Sequence, residues 1–401
     1  MITFGVLKER KNPPHKRVVL TPNACKTIVD KYDATIVVEP SNRRVFNESL
    51  YDMEGVSLHT DLSNCDVLLG VKEVPIEALI SNKKYFFFSH TIKKQPYNRK
   101  LLQAVLEKKI ELYDHETIID QQHRRLVAFG RYAGIVGAYN GLRTYGLKYQ
   151  LFDLPKAEYL KDLSQLIAIL NNLKLPKMKI ILTGKGRVGT GAVEVLKAVG
   201  VNEVSVEEYL NQEFDKAVYC QIDVDQYNRH KDGRDFDKND FFDHPENYNG
   251  TFFRFAQRSD LFIAGHFYGV GAPYLITKEE VLRPDFKISV VADISCDING
   301  PIATTLRPST IASPIYGVDP VTFEEVDFKN PKAIAVMAVD NLPCELPIDA
   351  SEGFSEAFVH YVIPAFYNND ADGILARAQM TNSKGELTPR FSYLQDYVNG
   401  K

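Results

Sequence analysis

The sequence predicts an α/β protein of two domains, each built around a parallel β-sheet. Three observations indicate this class. Short β-branched or aromatic runs alternate with helical stretches over the first 120 residues, the alternation resumes near residue 179, and 401 residues suffice for two or three domains. Because such alternation produces βαβ units with right-handed crossovers, we expect the strands of each domain to lie parallel.

The composition is that of an ordinary globular protein, with 44% hydrophobic and 25% charged residues. The 48 Lys and Arg residues against 52 Asp and Glu give a net charge of −4 without any basic tract, so we expect no nucleic-acid partner. No apolar run approaches the roughly 18 residues that span a bilayer, and the first residues are not typical of a signal peptide. The five scattered cysteines form no CxxC pair, which favours reduced thiols in the cytoplasm over disulfides or a metal site.

The first domain is predicted from five strand-like runs and a capped helix. Thr21 is placed to cap a helix whose first turn contains Pro22. A long helix rich in Ala and Gly, over residues 131–147, then leaves this domain. The predicted strands are residues 2–6, 34–38, 66–71, 85–89 and 110–113.

The strands of the second domain are expected to begin after a helix over residues 155–173. Residues 223–250 are polar and turn-rich, which is typical of an insertion, and apolar spacing from residue 351 predicts a helix that packs back on the first domain. We therefore expect a first domain of residues 1–130, completed by 350–401, and a second of residues 131–349. The predicted strands of the second domain are residues 179–182, 203–206, 260–264, 288–293 and 333–339.

A glycine-rich turn with the pattern G-x-G-x-x-G follows the strand at 179–182 and opens a helix. In this context the glycines allow a tight turn and the close approach of a pyrophosphate, which the helix amides and dipole hold. The alternative is a turn that only packs the helix on the strand. The turn predicts a Rossmann-like, dinucleotide-binding second domain, with Gly184, Gly186, Arg187, Val188 and Gly189 at the cofactor.

The cofactor is predicted to be NAD, with NADP left open. The strand after the glycine turn is expected to end at Glu207, whose carboxylate would accept from a ribose 2′-hydroxyl and repel a 2′-phosphate. Arg187 in the turn would soften this preference. Asp293, Asp340 and Asn341 follow later strands, where they could contact the nicotinamide ribose or serve as turn and cap residues.

Three ionisable residues, Lys72, His90 and Glu116, follow strands of the first domain. Because the carboxyl ends of parallel strands meet at one edge, we expect these side chains to converge on one crevice. Each alone is typical of a solvated loop or a structural histidine, so the prediction depends on the combination. Basic residues near the same loops predict a carboxylate-bearing substrate, and they are Arg17, Lys93 and Arg125.

The chain also resembles a known family along most of its length. The segments ERKNPPHKRVVLTP, GVKEVP, FFSHTIKKQ, VAFGRYAG and DNLPCELPIDASE, among others, occur in order from residue 9 almost to the end. They are similar to the L-lysine-forming saccharopine dehydrogenases, and most similar to the lysine–2-oxoglutarate reductase half of the bifunctional aminoadipic semialdehyde synthase. More remotely, the N-terminal part resembles alanine dehydrogenase and the transhydrogenase domain.

The resemblance implies two Rossmann-like domains with a cleft between them. It also implies reversible conversion of saccharopine, NAD(P)+ and water into lysine, 2-oxoglutarate and NAD(P)H, without the second, glutamate-forming activity of the bifunctional protein. The family's lysine–histidine pair falls on Lys72 and His90 and its nearby acid on Glu116, whereas the role of Glu73 stays open. The substrate-binding basic groups fall on Arg17, Lys93 and Arg125.

Two other functions remain open. One is an amino-acid dehydrogenase that makes a primary amine, as alanine dehydrogenase does, although such a smaller substrate needs fewer carboxylate-binding groups. The other is a dinucleotide-binding sensor without turnover, against which the combination of Lys72, His90 and Glu116 argues. Small molecules are the expected partners, and self-association and the direction of the reaction are left open.

Overall fold

Six parallel strands form the central sheet of the first of two units in the computed structural model, which describes residues 1–12 and 15–401. Pro13 and Pro14, within the ERKNPPHKRVVLTP segment, lie outside the described residues. The first unit comprises Met1–Phe129 and Pro347–Lys401, and the second Gly130–Leu346. The strands of the first sheet are β1 (Ile2–Val6), β2 (Ala34–Val38), β3 (Ser57–Leu58), β4 (Val67–Lys72), β5 (Lys84–Phe88) and β6 (Glu111–Asp114).

The spatial order of these strands is β3-β2-β1-β4-β5-β6, and every neighbouring pair is parallel. This order reverses at β1, as in doubly wound sheets, whose ligands bind beyond the carboxyl ends of the strands. It brings the carboxyl ends of β4, β5 and β6 side by side. The residues that follow these three strands therefore share one edge of the sheet.

Helices connect the strands and begin where the sequence caps them. Helix α1 (Pro22–Lys31) begins after Thr21, whose hydroxyl accepts a hydrogen bond from the Ala24 amide at 3.3 Å. Proline has no amide hydrogen to donate. At the first position of a helix this loses no hydrogen bond, because an amide at that position has no acceptor within the helix. The predicted cap is confirmed. The other helices before the second unit are α2 (Glu48–Met53) and α3 (Arg99–Glu107).

Both faces of the first sheet are buried, because successive side chains of its strands point into different cores. Phe86 and Phe88 of β5 pack in a cluster on one face, whereas Tyr85 and Phe87 pack in a cluster on the other. Burial of each such side chain stabilises the fold by about 1.5–3 kcal/mol. Coverage of both faces is what a doubly wound parallel sheet requires.

The second unit has an eight-stranded sheet, whose strands run parallel except at one edge. Its helices are α4 (Gly130–Tyr149), α5 (Leu163–Leu170), α6 (Arg187–Ala198), α7 (Val206–Asn211), α8 (Val224–Tyr227), α9 (Lys238–Asp243), α10 (Phe253–Ala256) and α11 (Lys278–Val281). Its strands are β7 (Lys179–Thr183), β8 (Asn202–Glu203), β9 (Val218–Ile222), β10 (Asn228–His230), β11 (Tyr248–Gly250), β12 (Leu261–Ala264), β13 (Val290–Asp293), β14 (Ile315–Val318), β15 (Glu325–Val326) and β16 (Ile334–Met337).

The strand order in this sheet is β15-β14-β16-β13-β12-β7-β9-β8. Strands β16 to β8 run parallel, whereas β14 pairs antiparallel with both β16 and β15. The stretch 223–250, expected as an insertion, contains a small antiparallel hairpin of β10 and β11 outside the main sheet. The predicted α/β class, with parallel sheets in two units, is confirmed.

The helix expected over residues 155–173 is shorter than predicted. Helix α5 begins after Asp162, whose carboxylate accepts a hydrogen bond from the Gln165 amide at 2.9 Å. A side chain that satisfies an amide in this way starts a helix, and the residues before it then lie outside. Residues Ala157–Tyr159 form a separate 3₁₀ turn.

Helices α4 and α6 approach each other closely at two glycines. A Cβ atom at Gly134 would lie 1.9 Å from the carbonyl oxygen of Val188, and one at Gly191 would lie 1.9 Å from that of Arg131. Only glycine permits such an approach of two backbones. The helix that follows the glycine-rich turn is therefore packed directly on the backbone of α4.

The last segment of the chain packs on both faces of the first sheet. Phe354 and Phe358 join the cluster that contains Phe86, and Leu394 joins the cluster on the other face. None of the helices in residues 1–12 and 15–401 combines the length and the apolar character that crossing a bilayer requires. The helices of this segment are α12 (Pro347–Ala357), followed by a π-helical turn (Phe358–Val362), α13 (Ile374–Ala378) and α14 (Gln395–Val398).

Candidate functional site

Lys72 and His90 meet at the carboxyl edge of the first sheet. Lys72 is the last residue of β4, and His90 follows the end of β5 by two residues. The Nζ atom of Lys72 lies 3.2 Å from Nε2 of His90, which is hydrogen-bonding distance. The structure thus brings together two of the three residues predicted to share a crevice.

The surroundings of His90 favour its neutral form. Burial, and after it the charge of Lys72, lower the pKa of His90 to about 4, although the carboxylates of Glu73 and Glu116 act in the opposite direction. A neutral imidazole keeps one nitrogen lone pair free of a proton. At neutral pH His90 is therefore able to accept a proton.

Two carboxylates flank this pair. Oε2 of Glu73 lies 4.0 Å from Nε2 of His90, and its Oε1 lies 2.5 Å from Nζ of Lys11. Glu116 lies in a 3₁₀ turn after β6, and its Oε2 is buried without a hydrogen-bond partner among the described residues. A buried acceptor without a hydrogen bond is energetically unfavourable, and a bound ligand can supply the donor that is lacking. In residues 1–12 and 15–401, no group of three His, Cys, Asp or Glu side chains could hold a metal ion.

Two of the predicted basic residues differ strongly in exposure. Arg17 is only 3% exposed, and its guanidinium carbon lies 4.4 Å from the centre of the Phe129 ring. Stacking of a guanidinium on an aromatic ring keeps its plane available for a bidentate contact with a carboxylate. Lys93 is exposed in the turn that follows His90.

Arg125 is exposed and lies near the lysine–histidine pair. Its guanidinium carbon is 5.9 Å from the centre of the Phe88 ring, and Nζ of Lys72 is 6.0 Å from the same ring centre. The ring of His90 stacks on Phe88 as well, with centroids 6.2 Å apart and an interplanar angle of 15°. The Phe88 ring therefore lies close to three side chains at this edge, those of Lys72, His90 and Arg125. Each of them is positively charged or can accept a proton.

Four polar side chains at this edge were not predicted: Glu9, His15, Asp114 and His115. The Glu9 carboxylate lies 3.0 Å from Nε2 of His15. Burial by itself would raise the pKa of Glu9, but the hydrogen bonds from His15 and two backbone amides lower it, whereas burial raises the pKa of Asp114 to about 6. Asp114 ends β6 and Glu9 follows β1 by three residues, so the rule that selected the lysine would also have found these two acids.

In the second unit, the glycine-rich turn is tied to strand β9. Gly184 has φ of +91°, and a Cβ atom there would lie 2.5 Å from the carbonyl oxygen of Gly265. Its amide donates to the carbonyl of Ile222 at 2.8 Å, and its carbonyl accepts from the side-chain amide of Gln221 at 2.8 Å. The turn is thus fixed on both sides.

The backbone at the start of α6 is open at Gly186. Gly186 caps α6, and a Cβ atom there would meet no atom within 4 Å, so a ligand could approach the backbone closely. Gly189 instead serves packing, because a Cβ atom there would lie 2.0 Å from the carbonyl oxygen of Gly184. Arg187 and Val188 open the helix, whose first amides point toward this space.

Glu207 does not follow a strand, and this expectation is wrong. Strand β8 ends at Glu203, because Ser205 starts α7 through a capping box, and Glu207 is exposed in the first turn of that helix. Moreover, β8 lies at the outer edge of the sheet, whereas β7 lies between β12 and β9. The residue after β9 is Asp223, which was missed because β9 itself was not predicted.

Asp293 organises a turn. It is 1% exposed, and a ribose contact through this carboxylate stays a prediction. Asp340 is exposed and Asn341 is half-buried in the turn that follows β16, where a ribose contact also stays a prediction. Three donors bond to the Asp293 carboxylate: Ser295 Oγ at 2.6 Å, the Cys296 amide at 3.0 Å and Thr305 Oγ1 at 2.7 Å.

The two sites have the features of a dinucleotide-fold oxidoreductase: a glycine turn before a helix in one unit, and a half-buried lysine–histidine pair in the other. The chain belongs to the alanine dehydrogenase/PNT family. Residues 5–136 match the model of the N-terminal domain of that family, and residues 157–384 match the model of its C-terminal domain.

Curated relatives confirm the resemblance predicted from the sequence. The alpha-aminoadipic semialdehyde synthase of Arabidopsis thaliana is 28% identical over 97% of this chain and 41% of its own length. The mitochondrial enzyme of that name from Mus musculus is 29% identical over 98% of this chain and 47% of its own length. The chain thus spans less than half the length of these two relatives.

A shorter relative matches over most of both chains. The saccharopine dehydrogenase [NAD(+), L-lysine-forming] of Emericella nidulans is 26% identical over 88% of this chain and 89% of its own length. A solved structure of an L-alanine dehydrogenase superposes with a TM-score of 0.66 at 17% identity, covering 99% of this chain, which establishes a common fold. The relative from Emericella nidulans is thus an NAD(+)-dependent dehydrogenase, whereas the L-alanine dehydrogenase structure establishes the fold alone.

Proposed function

We propose that this chain interconverts saccharopine, NAD(P)+ and water with L-lysine, 2-oxoglutarate and NAD(P)H. The observation that carries the proposal is the contact of 3.2 Å between Nζ of Lys72 and Nε2 of His90 at the carboxyl edge of the first sheet. Oxidation of a secondary amine, and hydrolysis of the imine that results, both require groups that move protons. The names of the curated relatives supply the substrate class.

Lys72 is proposed as the base that frees the substrate nitrogen. Saccharopine carries a secondary amine that is protonated at neutral pH, and a protonated amine has no lone pair to assist loss of hydride from its carbon. Lys72 would take this proton, after which the carbon–nitrogen bond becomes an imine. Lys72 ends a buried strand and lies at hydrogen-bonding distance from an imidazole, and a substrate amine bound at this edge would lie next to its nitrogen.

His90 is proposed to handle the protons of water. Water adds to the imine carbon and must lose a proton, and the carbinolamine so formed collapses to lysine and 2-oxoglutarate when its nitrogen gains one. An imidazole whose pKa is lowered to about 4 by burial and by the charge of Lys72 is neutral at pH 7, and it would accept the first of these protons. Glu116, whose buried Oε2 has no hydrogen-bond partner among the described residues, would balance positive charge at this pair.

The substrate carboxylates call for cationic groups. Saccharopine carries three carboxylates, and Arg17, Lys93 and Arg125 are proposed to bind them. Of the three, Arg17 is the best-supported carboxylate-binding residue, because its nearly buried guanidinium is stacked on an aromatic ring and keeps a fixed orientation. A primary-amine dehydrogenase would need fewer such groups.

The glycine turn is proposed to hold NAD. The open space over Gly186 and the first amides of α6 suit a pyrophosphate, and a nicotinamide ring supplies hydride acceptance and donation when bound. The acid that accepts from the ribose 2′-hydroxyl is proposed to be Asp223 in place of Glu207, because such an acid follows the strand next to the glycine turn. A cytoplasmic location and self-association stay predictions from the sequence.

Replacement of Asp223 by Ala is expected to reduce the preference for NAD over NADP by about 10-fold or more, because a carboxylate that accepts from the 2′-hydroxyl is lost and its repulsion of a 2′-phosphate disappears. The matched control is Glu207→Ala, which removes an exposed acid on α7. The ratio of kcat/KM with NADH and with NADPH measures the effect. A larger change in the Glu207 variant would restore that residue as the ribose acid.

The function itself is tested by following NADH and NADPH consumption with lysine plus 2-oxoglutarate. We expect oxidation in this mixture and little in pyruvate plus ammonia. Oxidation only with pyruvate and ammonia would identify a primary-amine dehydrogenase instead. No oxidation in either mixture, together with measurable NADH binding, would favour a sensor.

A further inference from the structure

We propose that two largely buried carboxylates, Glu9 and Asp114, are positioning residues that fix the backbone beneath Lys72, His90 and Glu116. Each carboxylate accepts hydrogen bonds from backbone amides at or next to a proposed site residue. The kinetic consequence depends on the proposed function, whereas the anchoring of the backbone can be measured without it.

Glu9 holds the end of β4. The pairing register between β4 and β5 shifts between Leu69 and Lys72, so the regular ladder is interrupted just before the lysine. Oε1 of Glu9 accepts from the amide of Val71 at 2.6 Å, and Oε2 accepts from the amide of Lys72 at 3.0 Å. Two amides at an irregular strand end are thus satisfied by one side chain from the loop after β1.

His115 adds a third hydrogen bond to this segment. Its Nε2 lies 2.9 Å from the carbonyl oxygen of Gly70 and must donate the hydrogen bond, because a carbonyl oxygen only accepts. The ring is fully buried. Three consecutive residues that end at Lys72 therefore have a fixed backbone.

Asp114 holds the backbone at the other two proposed site residues, His90 and Glu116. Its Oδ2 accepts from the amide of Ser89 at 2.9 Å and also from the Ser89 hydroxyl, and its Oδ1 accepts from the amide of Glu116 at 2.7 Å. The side-chain amide of Asn98 donates to the Ser89 carbonyl at 2.8 Å. One carboxylate therefore links the segment before His90 to the turn that carries Glu116.

The backbone conformation of His90 explains why the neighbouring segment must be held in place. His90 has φ of +54°, a left-handed conformation that costs a residue with a side chain about 1–2 kcal/mol. Such a conformation persists only where the surroundings hold it, and the hydrogen bonds on Ser89 do so from the adjacent residue. Without them the backbone is expected to relax and to move the imidazole.

The contact between the two site residues depends on both anchors. Lys72 and His90 come from different strands, and each strand end is held by a different carboxylate. The contact of 3.2 Å between Nζ and Nε2 is therefore lost if either segment shifts by about an ångström. A displacement of this size can reduce turnover about 100-fold.

The test uses the full chain with Glu9→Gln and Asp114→Asn, which keep size but replace one acceptor oxygen by a donor. We expect kcat with lysine, 2-oxoglutarate and NADH to fall about 10- to 100-fold, with the KM for NADH changed less than about 2-fold. We also expect amide hydrogen exchange to rise about 10-fold or more in the segment 70–72 for the first variant and 89–90 for the second.

The matched control is Glu39→Gln. Glu39 is 4% exposed and accepts a hydrogen bond from the Lys8 amide at 3.0 Å, but it bonds to neither anchored segment. We expect this variant to keep kcat and the exchange of both segments. Should Glu9→Gln or Asp114→Asn fail to fold, Glu9→Asp and Asp114→Glu, which keep both oxygens but alter their reach, replace them.

Unchanged exchange in the segments of both variants would overturn the proposal, as would unchanged kcat in an active wild-type protein. If the wild-type protein does not consume NADH with lysine and 2-oxoglutarate, the proposed function fails. In that case the exchange measurement still decides whether the carboxylates anchor the two segments.

Discussion

Replacement of Lys72 by Met is expected to reduce turnover about 1,000-fold, within the range that loss of a general base produces. Methionine has nearly the length of lysine and no basic nitrogen, so the strand end keeps its packing while the proton acceptor disappears. The affinity for NADH is expected to change less than about 2-fold, because the glycine turn belongs to the second unit. Steady-state kinetics and a fluorescence titration with NADH measure the two quantities.

The control for this variant is Lys84→Met. Lys84 begins the neighbouring strand β5 at the opposite edge of the sheet, where it pairs with Glu111 at 2.7 Å. Because a partly exposed ion pair contributes little, we expect nearly unchanged stability and turnover. Equal rates for Lys72→Met and the wild-type protein would remove Lys72 from the mechanism.

Replacement of Gly134 by Ala is expected to destabilise the second unit by about 3 kcal/mol. The added Cβ atom would lie 1.9 Å from the carbonyl oxygen of Val188 and 2.9 Å from the amide nitrogen of Ala192, both backbone atoms of α6. Backbone cannot rotate away as a flexible side chain can, so α4 and α6 must separate and lose packing. Thermal and urea unfolding of the variant measure this loss.

Gly186→Ala is the matched control for stability. It also adds one methyl group at α6, but into open space, since no atom lies within 4 Å of its Cβ position. Its φ of −81° suits alanine as well. We expect its melting temperature to stay close to that of the wild-type protein, while dinucleotide affinity falls because the methyl group occupies the approach to the turn. Equal melting temperatures for the two variants would contradict the close packing of α4 on α6.

The sequence predicted the elements that depend on local pattern. Thr21 and Pro22 indicated a helix start, and the structure has it there. By contrast, the strand expected to end near Glu207 was wrong, because apolar spacing alone could not separate a two-residue strand from the capped helix that follows. The roles of the predicted site residues stay predictions, although the structure brings Lys72 and His90 into contact.

The residues that sequence reasoning missed share a physical property. Glu9 acts on the amide of Lys72, 63 residues away, and Asp114 acts on Ser89, 25 residues away. The position of each acid after a strand could have identified it as a site candidate, but no spacing rule connects it with the amides that it accepts from, because their proximity follows from the pairing of strands. A buried carboxylate can be recognised as an anchor only when the amides that it accepts from are known.

By itself, the amino-acid sequence determined the α/β class and the glycine turn. Both depend on residues that are close together in the chain: the first on alternating apolar runs, and the second on glycines, which lack the Cβ atom that would obstruct a tight turn. Only the tertiary structure decided that β9 lies beside β7, and the proposal of Asp223 in place of Glu207 as the ribose acid depends on this pairing. It alone also decided that the Lys72 amine touches the His90 imidazole. The physical reason is that strand order and side-chain contact are set by packing between distant segments, which no local pattern encodes.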